Sequence, residues 1–451
     1  MTLIGTPLVA TLYTWSIFGL LFSFPFTMAS NNNNNNNNNN TPRIVELAAQ
    51  ISTSVAQLQE QLSAEGLPSP SFDENFSAKY PANVTQLRDA VLDASAELHE
   101  LLLDPLMVLF KFASISNLVS IDAVARYKIP DMIPAGGRLS FEEIGQKTGL
   151  EKNVVRRLLR NAMAMRILQE PEPGVVAHTS ISKFLANPAI NGWAQFEARD
   201  TWPATTRIVD AIQKWPNSQQ ANETGWVLAN NGKTVPEVIA TEPERAMRFA
   251  NGMNAIDWVP GYNISLLPTV YDWASLGNVK IVNVGGAMGQ AAIELAKKFG
   301  NLTVLVQDSA AMMGGGVLVP AELKDRITFQ EHELFAPQTE KAAVYFFRMA
   351  FRGLGDQFAE QVLKAQIPVL ESGAKMLIQD VVMPEHDAVP LWRERTQRSV
   401  DTALQCFGNG RERYLDEWKA LLAAADQRFI LEQVHVPKDN LLGILEVTWK
   451  A

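Results

Sequence analysis

Residues 279–310, VKIVNVGGAMGQAAIELAKKFGNLTVLVQDSA, decide the fold. Val279–Val284 reads as a buried strand, and Gly285, Gly286, Ala287, Met288 and Gly289 follow it at once. Ala291–Phe299 then reads as a helix, and Thr303–Gln307 as a second strand that ends at Asp308. The order is strand, glycine loop, helix, strand, acid. Glycine lets the backbone come close to a ligand, and a helix N-terminus offers unpaired N–H groups. A carboxylate at the end of the second strand can accept hydrogen bonds from ribose hydroxyls. A glycine loop alone also fits a tight strand-to-helix turn with no ligand, so the acid nineteen residues past Gly289 carries the functional reading.

Working outward, further strands are predicted at Ile327–Gln330, Val344–Phe347, Lys375–Asp380, Phe429–His435 and Leu442–Trp449. Helices at Asp356–Leu370 and Glu412–Ala425 alternate with them. That alternation predicts an α/β fold with a doubly wound, mostly parallel sheet, whose last strands are joined by a hairpin. Upstream, Ile44, Leu47, Ile51, Val55, Leu58 and Leu62 form one narrow apolar stripe on a helix, as suits packing on a partner helix. A Pro/Ser loop follows at Leu67–Phe72, and helical patterning runs from Val84 to Phe112 and on to Tyr127. Residues 139–168, LSFEEIGQKTGLEKNVVRRLLRNAMAMRIL, read as helix, glycine turn, helix, with a capping box from Ser140 and Glu143. A short hairpin completes a winged-helix pattern. Asn191 to Tyr271 is mostly helical and rich in aromatics, which suits either plain core or a pocket for a flat apolar ligand.

Composition sets outer bounds. Hydrophobic residues make up 47% and charged residues 19%, which fits a packed globule rather than a disordered chain. The net charge of −9 argues against nucleic acid as a partner, although Lys152, Arg156, Arg157 and Arg160 give the second helix of the winged-helix unit a basic face. One cysteine, Cys406, excludes an internal disulfide, and a buried inert thiol is its plainest reading. The five histidines lack metal-ligand spacing, so no metal is expected. Residues 1–40 hold an apolar run, Pro7–Phe26, and ten asparagines, Asn31–Asn40. They are set apart from the fold, and a membrane tether through residues 7–26 is the alternative to a cytoplasmic protein.

The stretch 281–310 resembles the motif for S-adenosyl-L-methionine (SAM) of plant- and fungal-type small-molecule O-methyltransferases, Val-Asp-Val-Gly-Gly-Gly-x-Gly, helix, Val-Gln-Asp. The likeness continues through ITFQEHELFAPQ (327–338), VYFFRMAFRGLGDQFAEQVLKAQIPVL (344–370), KMLIQDVVMPE (375–385) and GRERYLDEWKALLAAA (410–425), with EPERAMRFANGM (242–253) upstream. It implies a Rossmann-like class I SAM-methyltransferase domain over 273–451, a helical connector lining the substrate pocket over 191–272, and a helical, winged-helix dimerisation domain over 41–190. It also implies SAM as cofactor, a homodimer and a small-molecule substrate. By resemblance, Gly285, Gly286 and Gly289 meet the amino-acid and sugar portions of SAM, Asp308 holds the ribose, and Glu333 lies near the adenine. Asn283 stands where the family has an acid, and Ala287 replaces the third glycine.

One departure changes the expected chemistry. The family has His-Asp-Trp-x-Asp where this chain has Arg352, Gly353, Leu354, Gly355 and Asp356, and the family's histidine is the general base. Histidine accepts a proton near neutral pH, whereas arginine stays protonated and only donates. The combination resembles a fungal O-methyltransferase-like branch of pericyclases. It implies a cyclase acting on a polyketide or alkaloid, in which Arg352 polarises a carbonyl, His178 is a second donor, and SAM serves as a fixed charge. The runner-up is conventional O-methyl transfer, and a non-catalytic dimer subunit is the third reading. Phe249, Met253, Trp258, Leu404, Gln405 and Phe407 are the expected pocket residues, each of which could instead be core. Asp401 and Glu412 are lesser candidates for orienting the arginine or the substrate, and Arg348 reads as structural.

Overall fold

The computed structural model describes residues 41–77, 80–259, 261–313, 319–436 and 441–451. The apolar run and the polyasparagine of residues 1–40 lie outside them.

A seven-stranded sheet forms the C-terminal half, from β4 (Val279–Val284), β5 (Leu302–Asp308), β6 (Ile327–Glu331), β7 (Val344–Arg348), β8 (Lys375–Val381), β9 (Phe429–His435) and β10 (Leu442–Trp449). Their order across the sheet is β6-β5-β4-β7-β8-β10-β9. The first five pair in parallel, and β10 runs antiparallel to both β8 and β9, so the expected closing hairpin is present. Both faces of the central strands β4, β5, β7 and β8 are covered, which is why these read as continuous apolar runs rather than alternating ones. Val282, Val284, Tyr345 and Phe347 face the Asp356–Gln366 and Leu415–Ala425 helices. Ile281, Val304, Val306 and Phe346 face the Gln290–Lys298 helix on the other side.

The N-terminal half is helical. Helix α1 (Arg43–Ala64) packs on α2 (Ala82–Leu101) through Leu58, Leu62 and Val84; of the expected stripe Leu47, Leu58 and Leu62 are buried, whereas Ile44 and Val55 are exposed. Helices α3 (Pro105–Ala113) and α4 (Ser116–Arg126) follow. The Phe141–Thr148 and Lys152–Ala164 helices then pack beside a three-stranded sheet of order β1-β3-β2, built from β1 (Leu139–Ser140), β2 (Leu168–Glu172) and β3 (Val175–His178). The capping box is complete: Glu143 N–H donates to Ser140 Oγ, and Ser140 N–H donates to Glu143. On the basic face, Lys152 pairs with Glu142 and Arg160 with Glu170, so two of its four charges are neutralised locally.

The Leu391–Gly408 helix joins the two halves, and the sequence pattern did not announce it. Its apolar periodicity is weak because its N-terminal turn is held by acids of α2. Asp93 accepts from the N–H groups of Leu391 and Trp392, Asp89 accepts from Trp392 and Arg393, and Glu100 pairs with Arg395. Asp93 thus caps the start of a helix almost 300 residues away in sequence.

Candidate active site

Strands β4 and β7 are hydrogen-bonded neighbours, with Val284 opposite Phe347, so the loops that follow them leave the same edge of the sheet side by side. A Cβ on Gly285 would touch Ala350. In the first loop Gly285 and Gly289 have φ of +68° and +82°, and Ala287 is left-handed too at +47°. A Cβ on Gly286 would come within 2.7 Å of Asn283 Oδ1 and 2.8 Å of Val306, so only glycine lets the turn close there. Asp308, at the end of β5, accepts from the N–H groups of Ala287 and Ser309, both at 2.8 Å. It therefore pins the loop that it borders. Asn283 is fully buried; its Nδ2 donates to Phe346 O, and its Oδ1 has no hydrogen-bond partner. Glu333 is exposed in the loop after β6.

The second loop presents side chains. Arg352 is buried, and its Nη2 lies 2.6 Å from Glu412 Oε1. Its guanidinium also packs over the Tyr262 ring, 5.4 Å from the centroid, while its Nε has no hydrogen-bond partner. Asp380 lies beneath, accepting from the N–H groups of Phe351 and Val381. Burial holds both Asp380 and Glu412 above the usual carboxylate range, against the pull of Arg352. Tyr262 is pushed up to about 12, again by burial. Glu412, a lesser candidate from sequence, thus contacts Arg352 directly, whereas Asp401 accepts the backbone N–H of Glu412 at 2.7 Å. Arg348 is structural as expected, donating to Gln379 and to Tyr262 O. Asp356 accepts from Arg413, which also holds the carbonyls of Phe351 and Leu354 and so braces the loop.

The expected pocket residues divide. Phe249 and Phe407 meet in an aromatic cluster: Phe196 stacks on Phe407 at 6.0 Å and sets its edge to Phe249 at 5.5 Å, and Trp226 leans on Phe407 at 5.6 Å. Leu404 and Gln405 lie on the same helix as Phe407 and are partly buried. Met253 and Trp258 are exposed, and Trp258 sets its edge against Phe184. Cys406 is buried and pushed up to about 12, an inert thiol.

His178 does not fit the role of a second donor. It is buried at the end of β3, with Nδ1 2.9 Å from Ser182 Oγ and Nε2 3.0 Å from Ile133 O. Both ring nitrogens are occupied inside the N-terminal unit. The sequence could not reveal this, because Ile133 lies 45 residues upstream.

Residues 215–428 match the O-methyltransferase domain, and residues 107–188 match the O-methyltransferase dimerisation domain. The O-methyltransferase PaMT of Phomopsis amygdali is 40% identical over 91% of this chain and 97% of its own length. The chain belongs to the SAM-dependent O-methyltransferase family, with a Rossmann-like catalytic-type domain and an N-terminal helical dimerisation domain. Among solved structures, OxaC in complex with SAH and oxaline has a TM-score of 0.71 at 19% identity, over 91% of this chain and all of that one. LepI in complex with SAM has a TM-score of 0.70 at 20% identity, over 89% and 100%. At those identities the two share the fold.

Proposed function

We propose that the protein transfers the methyl group of SAM to a hydroxyl oxygen of a small polyketide or alkaloid of fungal-type secondary metabolism, with the Arg352–Glu412 pair in place of the family's histidine. The observation that carries this reading is the pair itself, a buried cation and a buried acid 2.6 Å apart, with the cation on the loop that leaves the sheet next to the glycine loop. Arginine cannot take the proton, but Glu412 can, and burial makes it a stronger base than an exposed carboxylate. Arg352 stays charged and stabilises the negative charge that grows on the acceptor oxygen as its proton leaves. The name of PaMT supports methyl transfer over the cyclase expected from sequence.

The loop fits the cofactor of the family. Gly285, Gly286 and Gly289 would lie against its amino-acid and sugar portions, Asp308 would hold the ribose, and Glu333 would stand near the adenine. Two observations support that fit: the cradle at Gly286 that a Cβ would fill, and the buried, unpartnered Oδ1 of Asn283 next to it. When bound, SAM supplies an electrophilic methyl group.

One observation keeps the pericyclase reading alive. Arg352 Nε is a buried donor with no partner, which a substrate carbonyl would satisfy in a dehydration followed by a pericyclic closure. Incubation with candidate substrates, with and without SAM, separates the two. Methyl transfer requires SAH and methylated product in equal amounts. A product of unchanged mass, or lighter by one water, formed without SAH would overturn it.

The protein is proposed to work as a homodimer. No side chain of α3 is buried, and Leu109, Phe110 and Phe112 are each at least 60% exposed. The stretch Pro105–Arg126 is long and apolar enough to cross a membrane by length and composition, but from Met107 onward it belongs to the matched dimerisation domain, so a second copy is the proposed cover. Light scattering should find a dimer, and Leu109→Asp with Phe110→Asp should give monomers. A native protein that is monomeric at micromolar concentration overturns this assignment.

A further inference from the structure

Glu412 sits in a turn that is pressed against the loop after β7. At Gly408 a Cβ would lie 3.0 Å from Gly353 O, and at Gly410 it would lie 2.4 Å from Arg352 O, so the two backbones run in contact. Asn409, at φ +53°, ends the Leu391–Gly408 helix and donates to the carbonyls of Gln220 and Glu223. On the far side, Met383 N–H donates to Arg413 O. Glu412 itself belongs to no helix or strand, so its N–H has no ladder to join. Asp401, a turn and a half before the end of the helix, supplies the acceptor at 2.7 Å.

The charges around Glu412 are unevenly matched. Arg352, Asp380, Asp401 and Arg413 act on it, and it acts in turn on Tyr262. Arg413 is committed to Asp356 and to the carbonyls of Phe351 and Leu354. Among these groups Arg352 is then the one cation left for three carboxyls. It touches Glu412 through the side chain, whereas Asp401 meets Glu412 from the backbone side. No cation among the described residues pairs with Asp401. A guanidinium favours the ionised form of a neighbouring carboxyl, and a second carboxylate opposes that pull.

We propose that Asp401 is the positioning residue for Glu412: it holds the Glu412 backbone to the Leu391–Gly408 helix and sets a negative charge behind the carboxyl that is to take the substrate proton. The service to a base rests on the methyl-transfer reading above. The two parts of the role separate by substitution. Asp401→Asn keeps an acceptor oxygen and loses the charge, and Asp401→Ala loses both.

The test uses the full chain and two readouts. Infrared difference spectra over a pH titration follow the protonated carboxyl of Glu412, identified as the band that Glu412→Gln removes. Removing a nearby negative charge eases ionisation, so Asp401→Asn should move the midpoint of that band down by roughly one pH unit. A merely structural residue would leave the midpoint in place. Hydrogen exchange at the Glu412 amide, read by mass spectrometry, should quicken about tenfold in Asp401→Ala and stay near wild type in Asp401→Asn. A midpoint shared by wild type and Asp401→Asn, an amide that exchanges equally fast in wild type and Asp401→Ala, or a spectrum from which Glu412→Gln removes no band would each overturn the proposal. Where Asp401→Ala does not fold, the Asp401→Asn midpoint decides alone. Catalysis is read separately. If Glu412→Gln releases SAH from SAM as fast as wild type, with a substrate that wild type methylates, Glu412 is rejected as the base and Asp401 remains the residue that holds it.

Discussion

The loops after β4 and β7 start side by side and are built on opposite terms. Each holds one non-glycine residue at positive φ, Ala287 at +47° and Met349 at +54°, so both turns are tight. The loop after β4 works through backbone: close approach at Gly286, and N–H groups tied to Asp308. The loop after β7 works through side chains, with Arg352 held by Glu412 above Tyr262. The backbone loop closes with Asn283 where the family has an acid and with Ala287 in place of the third glycine. A side-chain site changes its chemistry with one substitution. That difference explains why the fold and the cofactor follow from the family, while the proposed route of the substrate proton rests on a single residue.

Arg352→Ala should break the comparison most sharply. Removing one member of a buried pair leaves its partner uncompensated, at a typical cost of about 3–5 kcal/mol. Thermal melting should show that loss even with SAM present, and product formation should fall at least a hundredfold. A variant that melts like wild type would mean that Glu412 does not depend on Arg352. Arg352→Lys should restore part of the stability, because it keeps the charge but not the planar fork.

Glu197→Gln comes next and carries a pH signature. The folded group titrates near 7 against 4.5 for a free glutamate, so wild type binds this proton more tightly than the unfolded chain does. The stability this proton confers is complete below pH 4.5 and is lost as pH rises to 7. Only Trp193 and Cys406 act on this carboxyl from the elements around it, and neither titrates in that window. The variant should match wild type at pH 4 and exceed it by on the order of 2–3 kcal/mol at pH 8, in denaturant titrations at both pH values. A constant difference across that range would place the carboxyl in water.

Gly286→Ala probes the backbone loop. Its Cβ would meet Asn283 Oδ1 and Val306, both buried and neither at the free end of a flexible chain. Overpacking of this kind costs about 1–3 kcal/mol. SAM affinity, measured by calorimetry, should drop at least tenfold while the dimer persists. Unchanged affinity would show that the loop does not approach the cofactor.

Legibility followed the same division. The spans of β4 and β10 were readable to the residue because buried strands declare themselves as apolar runs with sharp ends, and the span of the half-exposed edge strand β9 was read as well. The glycine loop and Asp308 were readable because they lie within thirty residues of one another. The Leu391–Gly408 helix was not, since charges rather than a stripe hold its start. Glu412 could be ranked only low, because its pairing with Arg352 spans sixty residues and depends on how two strands and a helix meet. His178 looked available because its partners are a backbone carbonyl and a serine that no motif predicts. Glu197 belongs to no motif at all, and only its surroundings in the π-helical turn Glu197–Thr201 single it out.

The smallest expected effect compares the two strained residues directly. A left-handed conformation costs an L-residue roughly 1–2 kcal/mol, and glycine removes that cost while losing about 0.4–1 kcal/mol through the unfolded chain. Ala287 contributes only a methyl group, so Ala287→Gly should stabilise the protein by about 0.5 kcal/mol. Met349 bears the same strain, but its side chain packs with Tyr262, Val381 and Met383. Losing that partly buried side chain costs about 1–2 kcal/mol, so Met349→Gly should destabilise. Denaturant midpoints of the two variants should therefore move in opposite directions. If both rise, the Met349 side chain adds nothing to the floor beneath Arg352. If both fall, the Ala287 methyl group packs within the loop, and that loop too depends on side chains.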